Sequence, residues 1–374
     1  MERIRPETEE ELAEAVRGAE GPLRIVGGGT RGVDCRDDLP ELSAGGLSGI
    51  TLYEPGALTL VVRAGTPLAE VEAVLAEEGQ RLPFEPSDMR ALMGTEGMPT
   101  IGGVVAANVS GPRRVQAGAC RDSLIGVRFV DGRGDVIRSG GRVMKNVTGY
   151  DLVKLMAGSH GTLGVLTEVA FKVLPAAETV AQVEISGLSP ARAVQVMAAA
   201  LATPCEVSGA AWLSGTGRVL LRLEGFEASV DYRTQNLRLA LADYGRAEIR
   251  ADSAQVADMW RELRDVQPFA GRAGDVWRVI VKPTDAPLAA EALEAEEVIL
   301  DWGGGLIWAL MPEGTDARAR LSGIAGHARL VRAGPETRGR IPAFAPEPEP
   351  VAALGAGLRR RFDPRGILNP GLMG

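Results

Sequence analysis

The residues best suited to do chemistry are glycines in a row. Gly27-Gly28-Gly29-Thr30-Arg31 follows a short apolar run, Leu23-Arg24-Ile25-Val26. Consecutive glycines let successive backbone N–H groups turn toward one point, making an anion nest that suits a diphosphate. Thr30 adds a hydroxyl donor. Taken alone, the pattern also fits a plain tight turn. It lacks the Gly-Lys-Ser/Thr ending of a Walker A loop. It also lacks the helix of a Rossmann turn, because residues 31–38 do not read as one.

Two other stretches allow close backbone approach. Residues 100–111 (Thr-Ile-Gly-Gly-Val-Val-Ala-Ala-Asn-Val-Ser-Gly) are almost all small. Gly102, Gly103, Ala106 and Ala107 would admit a flat or bulky group, with Asn108 and Ser110 offering polar contacts. Tight strand packing is an equal reading. In Gly158-Ser159-His160-Gly161-Thr162-Leu163-Gly164-Val165, glycines bracket a turn that feeds a strand. Backbone at Val165 could bond the edge of a planar ring; a simple turn is the plainer reading.

Composition narrows the chemistry. The chain has 374 residues and a formal net charge of −8, so its surface repels nucleic-acid phosphates. Its two histidines, His160 and His327, cannot build a multi-histidine metal centre. Three scattered cysteines, Cys35, Cys120 and Cys205, form no CxxC site. We expect no metal, so redox chemistry would need an organic cofactor. No run is long and apolar enough to span a bilayer, and residues 1–11 have no signal core, which points to the cytoplasm.

The elements that must position these residues are of mixed type. Strands are expected at 23–26 (buried) and 58–63. A helix follows, with Thr66 as cap, Pro67 in its first turn and Gly79 at its end. A hairpin is expected over 124–138, turning at 131–134, and an alternating strand over 165–174 that Pro175 closes. Beyond it, strands near 181–186, 208–213, 218–223, 276–281, 298–301, 305–311 and 328–332 interleave with an alanine-rich helix that Ser189 caps and Pro190 starts, and with helices near 228–243, 252–265, 287–296 and 316–326. The two rounds hint at a duplication. Residues 342–350 read as an extended connector before a helix at 351–361. The fold class is α+β, the second sheet largely antiparallel with helices on one face.

In this order and spacing the motifs resemble one family. Arg24-Ile25-Val26-Gly27-Gly28-Gly29-Thr30, Thr100-Ile101-Gly102-Gly103 with Asn108, Arg121-Asp122-Ser123-Leu124-Ile125-Gly126, Lys145-Asn146-Val147-Thr148-Gly149-Tyr150-Asp151, and Gly158 through Glu168 look like the FAD-binding domain of the vanillyl-alcohol oxidase and p-cresol methylhydroxylase (PCMH) type. The ending Asp363-Pro364-Arg365-Gly366-Ile367-Leu368-Asn369-Pro370-Gly371 resembles that family's C-terminal signature. Ser110 to Arg114, Gly141 to Val147 and Leu300 to Gly304 are similar to the E subunits of bacterial glycolate oxidases.

The resemblance implies a PCMH-type FAD-binding domain of two subdomains at 1–175, a cap domain at 176–341, and a C-terminal segment, 342–374, that returns to the first domain. It implies that Gly27, Gly28, Gly29, Thr30 and Arg31 hold the FAD diphosphate. Pro86, Thr100, Ile101, Gly102, Gly103 and Asn108 would line the flavin and ribityl region. Gly161, Gly164, Val165 and Thr167 would approach from the second subdomain, with Asn369 nearby. Family members can attach FAD through a histidine in the diphosphate loop; this loop has none, so a non-covalent cofactor is expected.

Two functions follow. The chain is either a self-sufficient dehydrogenase of small 2-hydroxy acids or a subunit that holds FAD beside a catalytic flavoprotein and an iron–sulfur subunit. The resemblance favours the second, possible peripheral attachment to the inner membrane coming through the partners; a scaffold without catalysis is a third reading. A substrate site wants a base and a cation for the carboxylate. His327, Arg278, Arg332 and Tyr150 are the candidates, against surface or core roles for each. His160 reads as a solvated turn residue.

Overall fold

The first forty residues wind into a small parallel sheet. The computed structural model describes residues 3–32, 38–141 and 150–373; Cys35 and most of the 145–151 motif lie outside them. Thr8 caps the helix Glu9–Gly18 by accepting the Glu11 N–H, and Glu11 bonds back to the Thr8 N–H. Leu12, Ala13 and Val16 give that helix its buried face. It carries the chain from Arg3–Ile4 to Arg24–Val26, and both strands pair in parallel with Glu41–Ser43 between them. Arg24–Val26 is therefore an edge strand, half-buried rather than buried as the sequence suggests. Its C-terminal end, where ligands gather in parallel sheets, opens into the triple glycine.

A five-stranded antiparallel sheet comes next, in the order Ile50–Glu54, Thr59–Arg63, Val165–Lys172, Leu124–Val130 and Val136–Gly140. The expected hairpin is there, with Val130 opposite Val136. The helix Leu68–Glu77 packs on this sheet through Leu68, Val71 and Leu75. Gly79 follows it with φ +61, as a left-handed stop requires. Thr66 is not its cap: Pro67 takes that place, while the Thr66 hydroxyl donates to the Arg63 carbonyl at 2.7 Å and accepts the Gly49 N–H at 2.9 Å. Residues 100–111 begin as a short helix, Ile101–Ala106, rather than a strand. A Cβ on Gly102 would lie 2.7 Å from the Ala64 carbonyl, so the small residues let helix backbone lie on strand-end backbone.

Residues 179–332 form one eight-stranded antiparallel sheet. Two βαββαβ units build it. The first contributes Ala247–Arg250, Thr179–Ile185, Arg218–Gly225 and Gly209–Leu213 in spatial order; the second contributes Glu297–Asp301, Leu306–Met311, Asp275–Val281 and Gly326–Arg332. Each has the order 4-1-3-2, and they meet through their second strands, Trp212 opposite Leu300. The suspected duplication is thus visible as a repeated topology. The sequence reading missed Ala247–Arg250, which is short and charged, and overextended the helix at 316–326, which is only Ala317–Arg320.

Helices cover both faces of this sheet, not one. Pro190–Leu201, Glu227–Ala240 and Ala286–Leu293 share a core with Val183, Leu221, Trp277 and Val279. Ser253–Arg264, which links the two units, lies on the other face with Val256, Trp260 and Leu263. Met89, Leu92 and Val115 of the N-terminal half join that second core. Trp260 anchors it by donating to Gln182 Oε1 at 2.8 Å.

A charged network stitches the same interface. Arg222 of the large sheet donates to both oxygens of Glu85, at 2.8 and 2.9 Å. Arg81 meets Glu224 at 2.6 Å, and Arg113 meets it at 3.3 Å. Burial alone would raise the Glu224 carboxyl, but Arg222 and Arg81 outweigh it and hold it below its ordinary range.

Candidate functional site

A cavity of about 460 Å³ opens where the small parallel sheet, the helix Ile101–Ala106 and the turn before Val165–Lys172 converge. That size suits a cofactor-scale ligand. Gly27, Gly28, Gly29, Thr30 and Arg31 line one side; Thr100, Gly102 and Gly103 line the second; Gly161, Gly164, Val165 and Asn369 line the third. Three segments far apart in sequence thus meet around one space.

The glycines are needed for contact as well as for nest geometry. A Cβ on Gly28 would sit 1.6 Å from the Met98 carbonyl oxygen, and one on Gly27 would sit 2.4 Å from the Thr100 hydroxyl. Gly97 is the reciprocal case, its added Cβ falling 1.9 Å from the Gly28 carbonyl. Gly29 has φ +69 and open space beside it. Among the described residues, no hydrogen bond uses the amides of Gly28, Gly29 or Thr30. These N–H groups are available to an anion, which fits the diphosphate of a dinucleotide.

Asn369 fastens the third side. Its side chain accepts the Ile25 N–H at 2.7 Å and donates to the His160 carbonyl at 2.8 Å. The C-terminal tail runs beside the glycine strand, with Leu23 N–H to the Ile367 carbonyl at 2.7 Å and Asn369 N–H to the Leu23 carbonyl at 3.0 Å. Asn369→Ala should leave one donor and one acceptor without partners. We expect a loss of roughly 2–3 kcal/mol in urea denaturation, with weaker FAD binding, from the usual cost of orphaned buried groups. Unchanged stability and affinity would remove the tail from the site.

Several expected contacts lie elsewhere. Ile101 is fully buried in the core below the cavity. Pro86 is buried outside the lining. Asn108, with φ +47, accepts the Arg121 N–H and braces its own loop. Thr167 donates to Glu9, which also pairs with Arg128, so it ties the helix Glu9–Gly18 to the five-stranded sheet. Arg31 does stay in the lining, its side chain tied to the Ser87 carbonyl at 2.8 Å. The lining also includes Ala44, Ala64, Gly97 and Leu372, which the sequence reading missed. Gly97, two residues before Pro99, was the one with a legible signal.

The catalytic candidates disperse. Tyr150 is 91% exposed, and His327 is exposed on a sheet-edge strand. Arg332 clamps the carbonyls of Phe269 and Arg272, both at 2.7 Å, and Gly274 at 3.1 Å. Arg278 lies over the Trp302 ring, which Arg114 of the N-terminal half also meets. His160 lines the cavity and is not solvated: burial, Arg329 and Arg31 draw its pKa down to about 3. Its Nε2 lies 3.4 Å from the Arg329 guanidinium, which can only donate, so Nε2 accepts and Nδ1 carries the proton.

A family model described as an FAD binding domain matches residues 3–140. Glycolate oxidase subunit GlcE of Escherichia coli (strain K12) is 37% identical over 87% of this chain and 84% of its own length. The chain belongs to the FAD-linked oxidoreductase family that includes this subunit. Its cofactor is FAD, as the glycine cradle and its uncommitted amides suit. Glycolate oxidase subunit GlcD of Bacillus subtilis (strain 168) is 38% identical over 33% of this chain and 24% of its own length. The fold is similar to alkyldihydroxyacetonephosphate synthase, with a TM-score of 0.71 at 15% identity over 99% of this chain and 76% of that one. No described helix is long and apolar enough to cross a membrane.

Proposed function

We propose that the chain is a non-covalent FAD-binding subunit of a cytoplasmic 2-hydroxy acid oxidase complex, one that oxidises glycolate to glyoxylate. Residues 1–175 would hold the cofactor, 176–341 would cap it, and 342–374 would return to brace the glycine loop. When bound, FAD supplies the two-electron acceptor for the substrate's α-carbon. The chain's own residues bind and orient it: the amides after Val26 meet the diphosphate, and Asn369 fixes the opposite wall. A catalytic flavoprotein and an iron–sulfur subunit would be the partners.

One observation carries the choice of a dependent subunit over a self-sufficient enzyme. Among the described residues, the cavity is lined by only two side chains of the usual proton-accepting types, Glu41 and His160. Glu41 is paired with Arg3 and Arg24. His160 already accepts from Arg329 and holds its neutral form far below physiological pH. Neither is free to take a substrate hydroxyl proton. The self-sufficient dehydrogenase remains the competing reading, and anaerobic titration separates the two. Glycolate should leave the flavin of the isolated chain oxidised and bleach it once the partner subunits are added; bleaching of the chain alone would overturn the assignment.

Attachment is tested by acid precipitation. All flavin should stay in the supernatant, since the diphosphate loop has no histidine. Colour in the pellet would contradict non-covalent binding.

A further inference from the structure

The helix Glu349–Phe362 turns its apolar face to solvent. None of its residues is buried. Val351, Leu354 and Leu358 are 49%, 71% and 40% exposed, and their spacing of three and then four positions sets them in one stripe. A helix on a globular body ordinarily lays such a stripe on the core. Single apolar residues at a surface need no explanation, but a stripe along a helix does.

The last turn of the helix is anchored to the N-terminal half. The Gly132 N–H donates to the Phe362 carbonyl at 2.8 Å, Arg133 donates to the Arg361 carbonyl at 3.0 Å, and the Phe362 ring lies 6.0 Å from that of Phe129. Upstream of that turn stand Gly355 and Gly357, and glycine is the poorest helix former after proline. No contact within the chain asks for them, since a Cβ on either would meet nothing within 4 Å. At 14 residues the helix is also of the length at which isolated helices are marginal in water. Glycines in such a helix make sense where another backbone approaches closely, and here that backbone lies outside the chain.

Charge says what approaches. Glu347 and Glu349 stand at the start of the segment, Arg360 and Arg361 at its end. All four are exposed, and none forms an ion pair among the described residues. The segment therefore complements itself when reversed. In an antiparallel pair with a twofold axis between Leu354 and Gly355, Val351 of one copy is level with Leu358 of the other. Leu354 is level with Gly355, and Glu349 with Arg360. Glycine opposite leucine lets the two helices close on each other. A parallel pair would set arginine against arginine, which like-charge repulsion disfavours.

We infer that the stripe of Val351, Leu354 and Leu358 binds a second copy of this chain, as an antiparallel helix pair about a twofold axis. The inference stands apart from the reading of the cavity and its chemistry. One helix pair is smaller than the roughly 1,200 Å² at which stable interfaces begin. The dimer is therefore reversible, with a dissociation constant on the order of 10 μM or weaker.

Sedimentation equilibrium of the flavin-loaded full chain, from about 1 to about 200 μM, tests this. The mass should climb from one chain toward two. Leu354→Asp should raise the dissociation constant about tenfold or more, because it puts charge at the centre of the contact. It should leave flavin content and the melting temperature of the dilute chain unchanged, since that side chain is mostly exposed in a single copy. Glu349→Arg and Arg360→Glu should each weaken self-association, and mixing the two variants should restore it, a rescue that a merely local effect on the helix would not give. A mass of one chain at every concentration overturns the pairing, as does a dimer that Leu354→Asp leaves intact. Failure of the mixture to associate overturns the antiparallel register. A monomer that instead co-elutes with the partner subunits, or with phosphatidylglycerol vesicles, until Leu354 is replaced gives the stripe to another surface and overturns the pairing equally.

Discussion

Gly28→Val is expected to abolish retention of FAD and to loosen the wall of the cavity at the same time. The sequence alone suggests a cleaner outcome, with the fold intact, because it shows only a loop that must approach a phosphate. In the structure the added Cβ falls 1.6 Å from the Met98 carbonyl oxygen, and Gly97 presses back on the Gly28 carbonyl. Backbone faces backbone, so neither side can yield by turning a side chain. We expect a cost of about 3 kcal/mol, the upper part of the overpacking range, and at least about hundredfold weaker FAD binding. Gly29→Ala is the matched comparison. It meets open space, but its left-handed backbone costs about 1–2 kcal/mol. That variant should fold, melt slightly earlier and bind FAD more weakly. Flavin content after purification and a titration of apoprotein with FAD measure both. Stoichiometric flavin at wild-type affinity in Gly28→Val would show that the loop is not the diphosphate cradle.

Glu85→Ala should be the most destabilising side-chain truncation at the interface between the N-terminal half and the large sheet. Glu85 has φ +47, a conformation few non-glycine residues adopt. It is held there by the two-pronged bond from Arg222 and by the Arg113 N–H at 2.8 Å. Arg222 is 4% exposed, so truncating Glu85 leaves a buried cation with the longer Glu224 contact at 3.5 Å and the Ser208 hydroxyl and carbonyl in place of a two-pronged carboxylate. Breaking such a pair costs roughly 3–5 kcal/mol; we expect about 3, because the Glu85 side chain keeps 18% of its surface exposed. Urea denaturation monitored by tryptophan fluorescence reads the loss. A change below about 1 kcal/mol, the scale of a surface pair, would falsify the claim that this contact locks the two halves.

Much of the fold was legible because local chemistry and long-range packing agreed. The hairpin at 131–134 has turn residues and flanking strands that each demand the other. Ser189 and Pro190 mark a helix start whichever surface the helix covers, and Ser189 does accept the Arg192 N–H. Where local signals pointed two ways, packing decided. Thr66 has the side chain of a cap and the position of one, yet its hydroxyl found closer acceptors in the preceding strand end. Residues 101–106 are small enough for strand, helix or turn. Contact with Ala64 made them helix.

The candidate site divides in the same way. By its residue order alone, the sequence determined the glycine cradle, its match to an FAD-binding family and the absence of a histidine in the loop, because an anion nest is made by neighbours in the chain. Only the tertiary structure decided which polar groups reach the cavity. It gave Asn369 a place between Ile25 and His160, sent Thr167 to Glu9 and Arg332 to backbone carbonyls, and laid Arg278 against the Trp302 ring. Side chains hundreds of residues apart meet by the closing of sheets, and spacing along the chain carries no record of that.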